Sequence, residues 1–132
     1  MDAPCSGTGT LRRHPEIKWR LTPADLQDLS QKQLRLLDRA AAALETDGRI
    51  VYSTCSIEKE ENQDVIESFL NGHPEFRLLP LREDSRRLKS FFLPSSTSIF
   101  ETEFLETFPD RDGTDGFFAA ILVKTTGNPN PL

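Results

Sequence analysis

Two cysteines, Cys5 and Cys55, are the side chains of this sequence best suited to nucleophilic chemistry. A thiolate attacks electrophilic carbon readily, and a second group beside it can carry the proton. Cys55 ends the run Val51-Tyr52-Ser53-Thr54-Cys55, between an expected strand and an expected helix. Free backbone N–H groups and the helix dipole at such a junction favour the anion, while Glu58, Glu60 and Glu61 oppose it. The plainer reading of Cys55 is a small buried hydrophobe. Cys5 lies in Asp2-Ala3-Pro4-Cys5-Ser6-Gly7-Thr8-Gly9, among turn formers rather than core residues. Beside Asp2 it suits a nucleophile, an acid/base partner or a metal ligand. The metal reading is weak. The two cysteines are fifty positions apart, and His14 and His73 stand in no ligand spacing with them. Both histidines precede a proline and read as connectors. Gly7-Thr8-Gly9 lacks the Lys-Ser/Thr of a phosphate loop and the third glycine of a dinucleotide fingerprint. Arg12, Arg13, Lys18 and Arg20 cluster around Trp19. Such a cluster suits phosphates or a base, and equally a solvated loop with one anchoring tryptophan.

The elements that must position these residues are legible in outline. Thr22, Pro23 and Asp25 form the start of a helix, with a cap, a first-turn proline and a capping-box acid. Leu26, Leu29, Leu34, Leu37, Ala41 and Leu44 give it one apolar face, and Asp47-Gly48 is the expected stop. Arg49 to Thr54 reads as a strand around Ile50-Val51-Tyr52. A second helix is expected from about Glu58 to Leu70, with Val65, Ile66, Phe69 and Leu70 buried. Phe76 to Leu81 reads as another strand. Arg82 to Lys89 is charged, and Pro94 to Ser98 reads as a loop. Glu103 to Phe108 and Phe117 to Lys124 read as paired strands, joined by a turn at Asp112-Gly113-Thr114-Asp115-Gly116. The tail from Thr125 is rich in Pro, Asn and Gly and is expected to fray. Helix, strand, helix, then strands suggests an α/β layered sheet, in which ligands gather beyond the carboxyl ends of the strands. If a parallel strand ends at Asp2, both thiols open onto one edge.

Composition narrows the function classes. The chain has 132 residues, a formal net charge of −5 and 28% charged residues, which fits one small domain or part of a larger one. The acidic balance argues against gripping nucleic acid by charge alone. No run approaches the roughly 20 apolar residues that span a bilayer, so no membrane partner is expected. The amino terminus lacks a secretory pattern, and two cysteines make no disulfide framework. A reducing, cytoplasmic setting is therefore expected.

Taken in order, the motifs resemble a known family. Asp2-Ala3-Pro4-Cys5-Ser6-Gly7 is followed by Arg13-His14-Pro15-Glu16-Ile17-Lys18-Trp19. Then come Val51-Tyr52-Ser53-Thr54-Cys55-Ser56 with Glu60-Glu61-Asn62, and finally Asp115-Gly116-Phe117-Phe118. This resembles the catalytic half of the Sun/RsmB-like RNA cytosine-5 methyltransferases. The resemblance runs from about Asp2 to Lys124 and is sparsest over Leu81 to Glu103. It is specific, because two separate cysteine motifs and the D-G-F-F motif coincide.

The resemblance implies a Rossmann-like fold, here the C-terminal half of a methyltransferase sheet ending in an antiparallel strand pair. It implies S-adenosylmethionine as cofactor and RNA as partner. Ribosomal RNA is expected, because the R-H-P-E-I-K-W stretch is similar to the bacterial ribosomal-RNA branch. It also implies residue roles: Cys55 as nucleophile, Cys5 as the thiol that assists product release, and Asp2 beside the cofactor and target base. The family's glycine-rich cofactor loop and its RNA-binding modules lie upstream of the D-A-P-C motif. The expectation is therefore a C-terminal portion of the catalytic domain over residues 1–124, with a flexible tail over 125–132. A non-catalytic remnant or interaction module is the alternative. A rival in which Cys5 is the nucleophile is weighed against by the T-C-S motif, and a redox protein by the lack of a C-x-x-C. The isolated chain is expected to bind S-adenosylmethionine weakly or not at all; calorimetric titration giving micromolar affinity would overturn this.

Overall fold

The structure is a computed structural model that describes residues 1–83 and 102–126. Its helices are α1 (Ile17–Arg20), α2 (Pro23–Ala43), α3 (Gln63–Gly72) and α4 (Pro109–Asp112). Its strands are β1 (Arg49–Thr54), β2 (Phe76–Leu79), β3 (Leu105–Thr107) and β4 (Phe117–Lys124), and short 3-10 turns occupy Thr8–Thr10 and Lys59–Glu61. The loop expected over Pro94 to Ser98 and the tail beyond residue 126 lie outside the described residues.

β4 is the shared strand of the sheet. Along one side it pairs antiparallel with β1, from Arg49↔Val123 to Thr54↔Phe118. Its other side is divided between β2 (Phe76↔Lys124 to Leu79↔Ile121) and β3 (Leu105↔Ala119 to Thr107↔Phe117). The expected pairing of the Glu103–Phe108 segment with Phe117–Lys124 is therefore present. On the free side of β1, Met1–Ala3 runs parallel to it. The Ser53 amide donates to the Met1 carbonyl at 2.9 Å and the Ala3 amide to the Ser53 carbonyl at 2.8 Å. A mixed sheet with helices packed on it, entered by a parallel segment, is the α/β arrangement expected of the C-terminal half of a Rossmann-like methyltransferase sheet.

Alternation explains the core. Ile50, Tyr52 and Thr54 of β1 face the same side as Leu122, Ala120 and Phe118 opposite them, and all six are buried. The small Ala120 leaves room for the Tyr52 ring, which meets Phe118 edge-on with centroids 6.2 Å apart. α2 supplies Leu37 and Ala41 to this face, and α3 supplies Val65, Ile66 and Phe69. On the opposite face Val51 and Phe117 are solvent-exposed.

Several boundaries differ from the sequence reading. α2 starts as expected, with both capping-box hydrogen bonds between Thr22 and Asp25 present. Those bonds hold the Asp25 carboxyl below the ordinary carboxylate range. The helix stops at Ala43 rather than at Asp47-Gly48, because the Lys124 ammonium binds the carbonyls of Ala41 (3.2 Å) and Leu44 (2.8 Å) from the sheet. α3 begins only at Gln63. Asn62 sits at φ −113°, ψ −98°, outside helical geometry, because its side chain is engaged elsewhere. The strand after α3 ends at Leu79 rather than Leu81. The segment before Gly116 is not a bare turn: Pro109 opens the single helical turn α4, and Gly113 closes it with φ +68°.

Candidate active site: two thiols gathered by one carboxylate

Cys5 follows the Met1–Ala3 segment, and Cys55 follows β1, so the parallel pairing brings both to one edge. Their sulfurs lie 3.2 Å apart and both cysteines are free. Each is partly buried. This is the juxtaposition expected if a parallel strand ended at Asp2.

The contact is enforced from behind. Each cysteine is followed by a serine, and both serines donate to one carboxylate, that of Glu61. Ser6 Oγ donates to Glu61 Oε2 at 2.5 Å and Ser56 Oγ to the same oxygen at 2.6 Å. The Ser6 amide donates to Oε1 at 2.9 Å, and Gln33 Nε2 to Oε1 at 3.1 Å. Gln33 also reaches the Pro4 carbonyl at 2.9 Å, so α2 holds the residue before Cys5 as well. Glu61 and Gln33 are both 0% exposed. A buried carboxylate is tolerable only when its oxygens are hydrogen-bonded, and here four donors converge on it.

A second set of bonds shapes the turn after Cys55. Thr54 Oγ1 donates to Asn62 Oδ1 at 2.6 Å, and Asn62 Nδ2 donates to the Ser56 carbonyl at 2.9 Å. This is the engagement that delays α3. Tyr52 donates its phenol to the Glu61 carbonyl at 2.6 Å. Burial first, then the Glu61 charge, keep that phenol protonated well above its ordinary range. Thr8 completes the join: its hydroxyl lies 3.2 Å from Ser56 Oγ and accepts from the Ile57 amide at 3.2 Å.

Two glycines let the loops touch. The Gly9 amide donates to the Cys55 carbonyl at 3.0 Å, and the Gly116 amide donates to the Gly9 carbonyl at 2.8 Å. A Cβ on Gly9 would fall 2.2 Å from the Gly116 carbonyl oxygen, and one on Gly116 would fall 2.4 Å from Ile57 Cγ2. The P-C-S, T-C-S and D-G-F-F segments therefore meet backbone to backbone, and Arg13 pairs with Asp115 across the join. Gly9 is thus required for close packing of these loops.

Burial raises the Cys5 thiol to about 12, with the Cys55 hydrogen bond and charge adding to the effect. Cys5 therefore holds its proton more tightly than a free thiol does. Asp2 is exposed, with Ser53 Oγ donating to its Oδ1 at 3.4 Å, so its carboxylate is open to accept further donors. The histidines lie apart from the thiols: His14 faces Glu16, and His73 stacks on Phe69 and faces Asp38 and Glu75. Among the described residues no cluster of metal-ligating side chains exists, and no helix is long and apolar enough to cross a membrane. Sequence reasoning named both cysteines but missed the use of Glu61, Gln33, Asn62 and the Gly9–Gly116 contact. The available signal was the repeated Cys-Ser pair, which asks for one acceptor serving two hydroxyls.

Replacing Glu61 with glutamine turns an acceptor into an amide facing donors. Glu61→Gln is expected to cost roughly 2–3 kcal/mol in urea unfolding, and to slow Cys5–Cys55 disulfide formation by oxidised glutathione. The raised Cys5 value has its own signature. A proton held more tightly in the fold contributes stability that is complete below the ordinary value of 9.0 and is lost as pH rises from there towards 12. Alkylation of Cys5 by iodoacetamide, resolved by mass spectrometry, should still be accelerating at pH 10.

Residues 1–123 match the family described as 16S rRNA methyltransferase RsmB/F. The ribosomal RNA small subunit methyltransferase B of Thermus thermophilus is 49% identical over 128 residues, covering 94% of this chain and 28% of that protein. The crystal structure of PH0851 superposes with a TM-score of 0.75 at 43% identity, covering 93% of this chain and 25% of that one. That of a methyltransferase homologue from Pyrococcus horikoshii gives 0.66 at 31% identity, covering 94% and 37%. The chain spans about a quarter of the length of the curated relatives it matches. With the motifs, the fold and these relatives in agreement, the chain belongs to the RsmB/F family of Sun-type RNA methyltransferases.

Proposed function

We propose that residues 1–124 are the C-terminal portion of a catalytic domain that methylates carbon 5 of cytosine in RNA, with ribosomal RNA as the substrate class and the cytoplasm as its setting. The observation that carries this reading is the pair of sulfurs 3.2 Å apart at one sheet edge. A single thiol suffices for a nucleophile; two in contact suit a reaction that must both make and break a carbon–sulfur bond.

Cytosine carbon 5 is a poor nucleophile. The Cys55 thiolate adds to ring carbon 6, and the electron pair of the 5,6 double bond moves to carbon 5, which becomes enamine-like. S-adenosylmethionine, when bound, supplies the electrophilic methyl that carbon 5 takes up. A base then removes the proton from carbon 5, the carbon 6–sulfur bond breaks, the double bond returns and the Cys55 thiolate is released.

Cys5, once its own proton has passed to solvent, is the base in that elimination, directly or through water. Burial is the main hold on that proton, and the Cys55 hydrogen bond and charge add to it. Once Cys55 is bonded to carbon 6 the added hold lapses, which eases loss of the Cys5 proton to water and leaves a thiolate to accept the carbon 5 proton. Asp2, with an exposed carboxylate at the end of the parallel segment, accepts hydrogen bonds from the target base and lies by the cofactor. That placement fits S-adenosylmethionine, because ligand sites of α/β sheets lie beyond the carboxyl ends of parallel strands. The cytosine must leave its stack to reach the sulfurs.

A non-catalytic module descended from such an enzyme would leave the thiol contact without a purpose, and the paired serines on Glu61 favour the catalytic reading. The test uses a full-length protein carrying this sequence and RNA containing 5-fluorocytosine, where fluorine in place of the carbon 5 proton blocks elimination. A covalent protein–RNA band is expected. It should vanish in Cys55→Ala and persist in Cys5→Ala; the reverse pattern would make Cys5 the nucleophile, and no band in the unaltered protein would sink the proposal.

A further inference from the structure

We propose that Trp19 is a stacking platform for an unpaired base of the RNA substrate. The proposal rests on the RNA-modifying reading above and extends it to a residue outside the thiol site. Trp19 is 84% exposed, the largest exposure among the bulky apolar side chains of the described residues. Burying an indole is favourable, so leaving it in water asks for a reason. Its neighbours exclude an ordinary protein-docking patch, which would be a contiguous apolar area. Lys18 and Arg20 flank it in α1, and Arg12 and Arg13 precede it, all exposed. The Lys18 ammonium stands 5.7 Å from the ring centroid. With that much of the ring open, a lysine over it still leaves a face free for a base.

A lone aromatic among cations matches what an unpaired strand presents: flat bases for the ring, phosphates for the charges. The chain as a whole is acidic at −5, so this local reversal of sign is a specific feature. The helical turn that carries Trp19 is anchored on the thiol loop through Ile17, while Trp19, two residues on, projects into solvent. Ile17 Cδ1, in the same helix turn as Trp19, lies 3.4 Å from where a Cβ on Gly7 would be, two residues beyond Cys5. The cavity of about 450 Å³ between α1 and the first turns of α2 carries the carboxylates of Glu16, Asp25 and Asp28 beside Arg20 and Lys32, so the cationic surface open to phosphates is that of Arg12 and Lys18 rather than the cavity.

The chain contains one tryptophan, so its emission reports this site alone. Purified chain is titrated with a short single-stranded RNA and, separately, with polyphosphate of equal charge at the same ionic strength. RNA is expected to quench the emission saturably, whereas polyphosphate should bind with little quenching. Trp19→Ala should weaken RNA binding roughly tenfold and Trp19→Phe much less. Because Trp19 is exposed, both variants should keep the parent's unfolding midpoint. Equal RNA affinity in Trp19→Ala, equal quenching by polyphosphate, or no RNA binding would overturn the proposal. So would an emission shift that depends on protein concentration without RNA, which marks a contact between copies of the chain. The readout needs neither S-adenosylmethionine nor turnover. An intact Cys55 adduct with an indifferent Trp19 would sink this inference alone; a missing adduct with Trp19-dependent binding would sink only the methylation reading.

Discussion

Four hydrogen bonds converge on a carboxylate that solvent does not reach, and the positions of both sulfurs follow from them. Glu61 binds the serine after each cysteine, the backbone of one of those serines, and a glutamine from α2. No covalent link joins the Cys5 loop to the Cys55 loop. What holds them is an anion with a donor on every side, and an anion in a core is stable only in that state. The same residue sits in the 3-10 turn that leads into α3, and its carbonyl takes the Tyr52 phenol. β1, α2, the turn that leads into α3 and both cysteine loops are thus referred to one residue. Reactive groups need to be held within fractions of an ångström of their working geometry, and buried polar networks on rigid elements achieve this better than loops do.

The sequence was readable where one local rule decided the outcome. The α2 start is governed by Thr22, Pro23 and Asp25 alone, and β1 by its Ile-Val-Tyr run. The cysteines announced themselves by residue type and by the motifs around them. Less was readable where distant residues decide. The α2 end depends on Lys124, more than eighty positions away. The late start of α3 depends on Asn62 reaching back to Thr54 and Ser56. Gln33 was invisible as a core residue, because glutamine on a helix reads as solvent-facing until its buried partner is known. Glu61 was read as a charge working against the Cys55 thiolate, whereas its oxygens are occupied by serines and a glutamine.

Burial and proximity set two chemically identical side chains apart. Cys5 is the one whose proton is held, through desolvation and through its neighbour. Two identical groups differ in proton affinity only when their surroundings differ, and here burial and the neighbouring sulfur make that difference.

β4 has a further significance. Because β1 lies along one side of it while β2 and β3 share the other, it acts as a common ruler for three neighbours. Strand side chains alternate, so sliding β4 by one position would turn Phe118, Ala120 and Leu122 out to water and break all three alignments together. Gly116 stands immediately before this strand, pressed against Gly9. Any such slip would withdraw the glycine from its seat beneath the thiol loops. Correct threading of the sheet and assembly of the two-thiol edge are therefore one event.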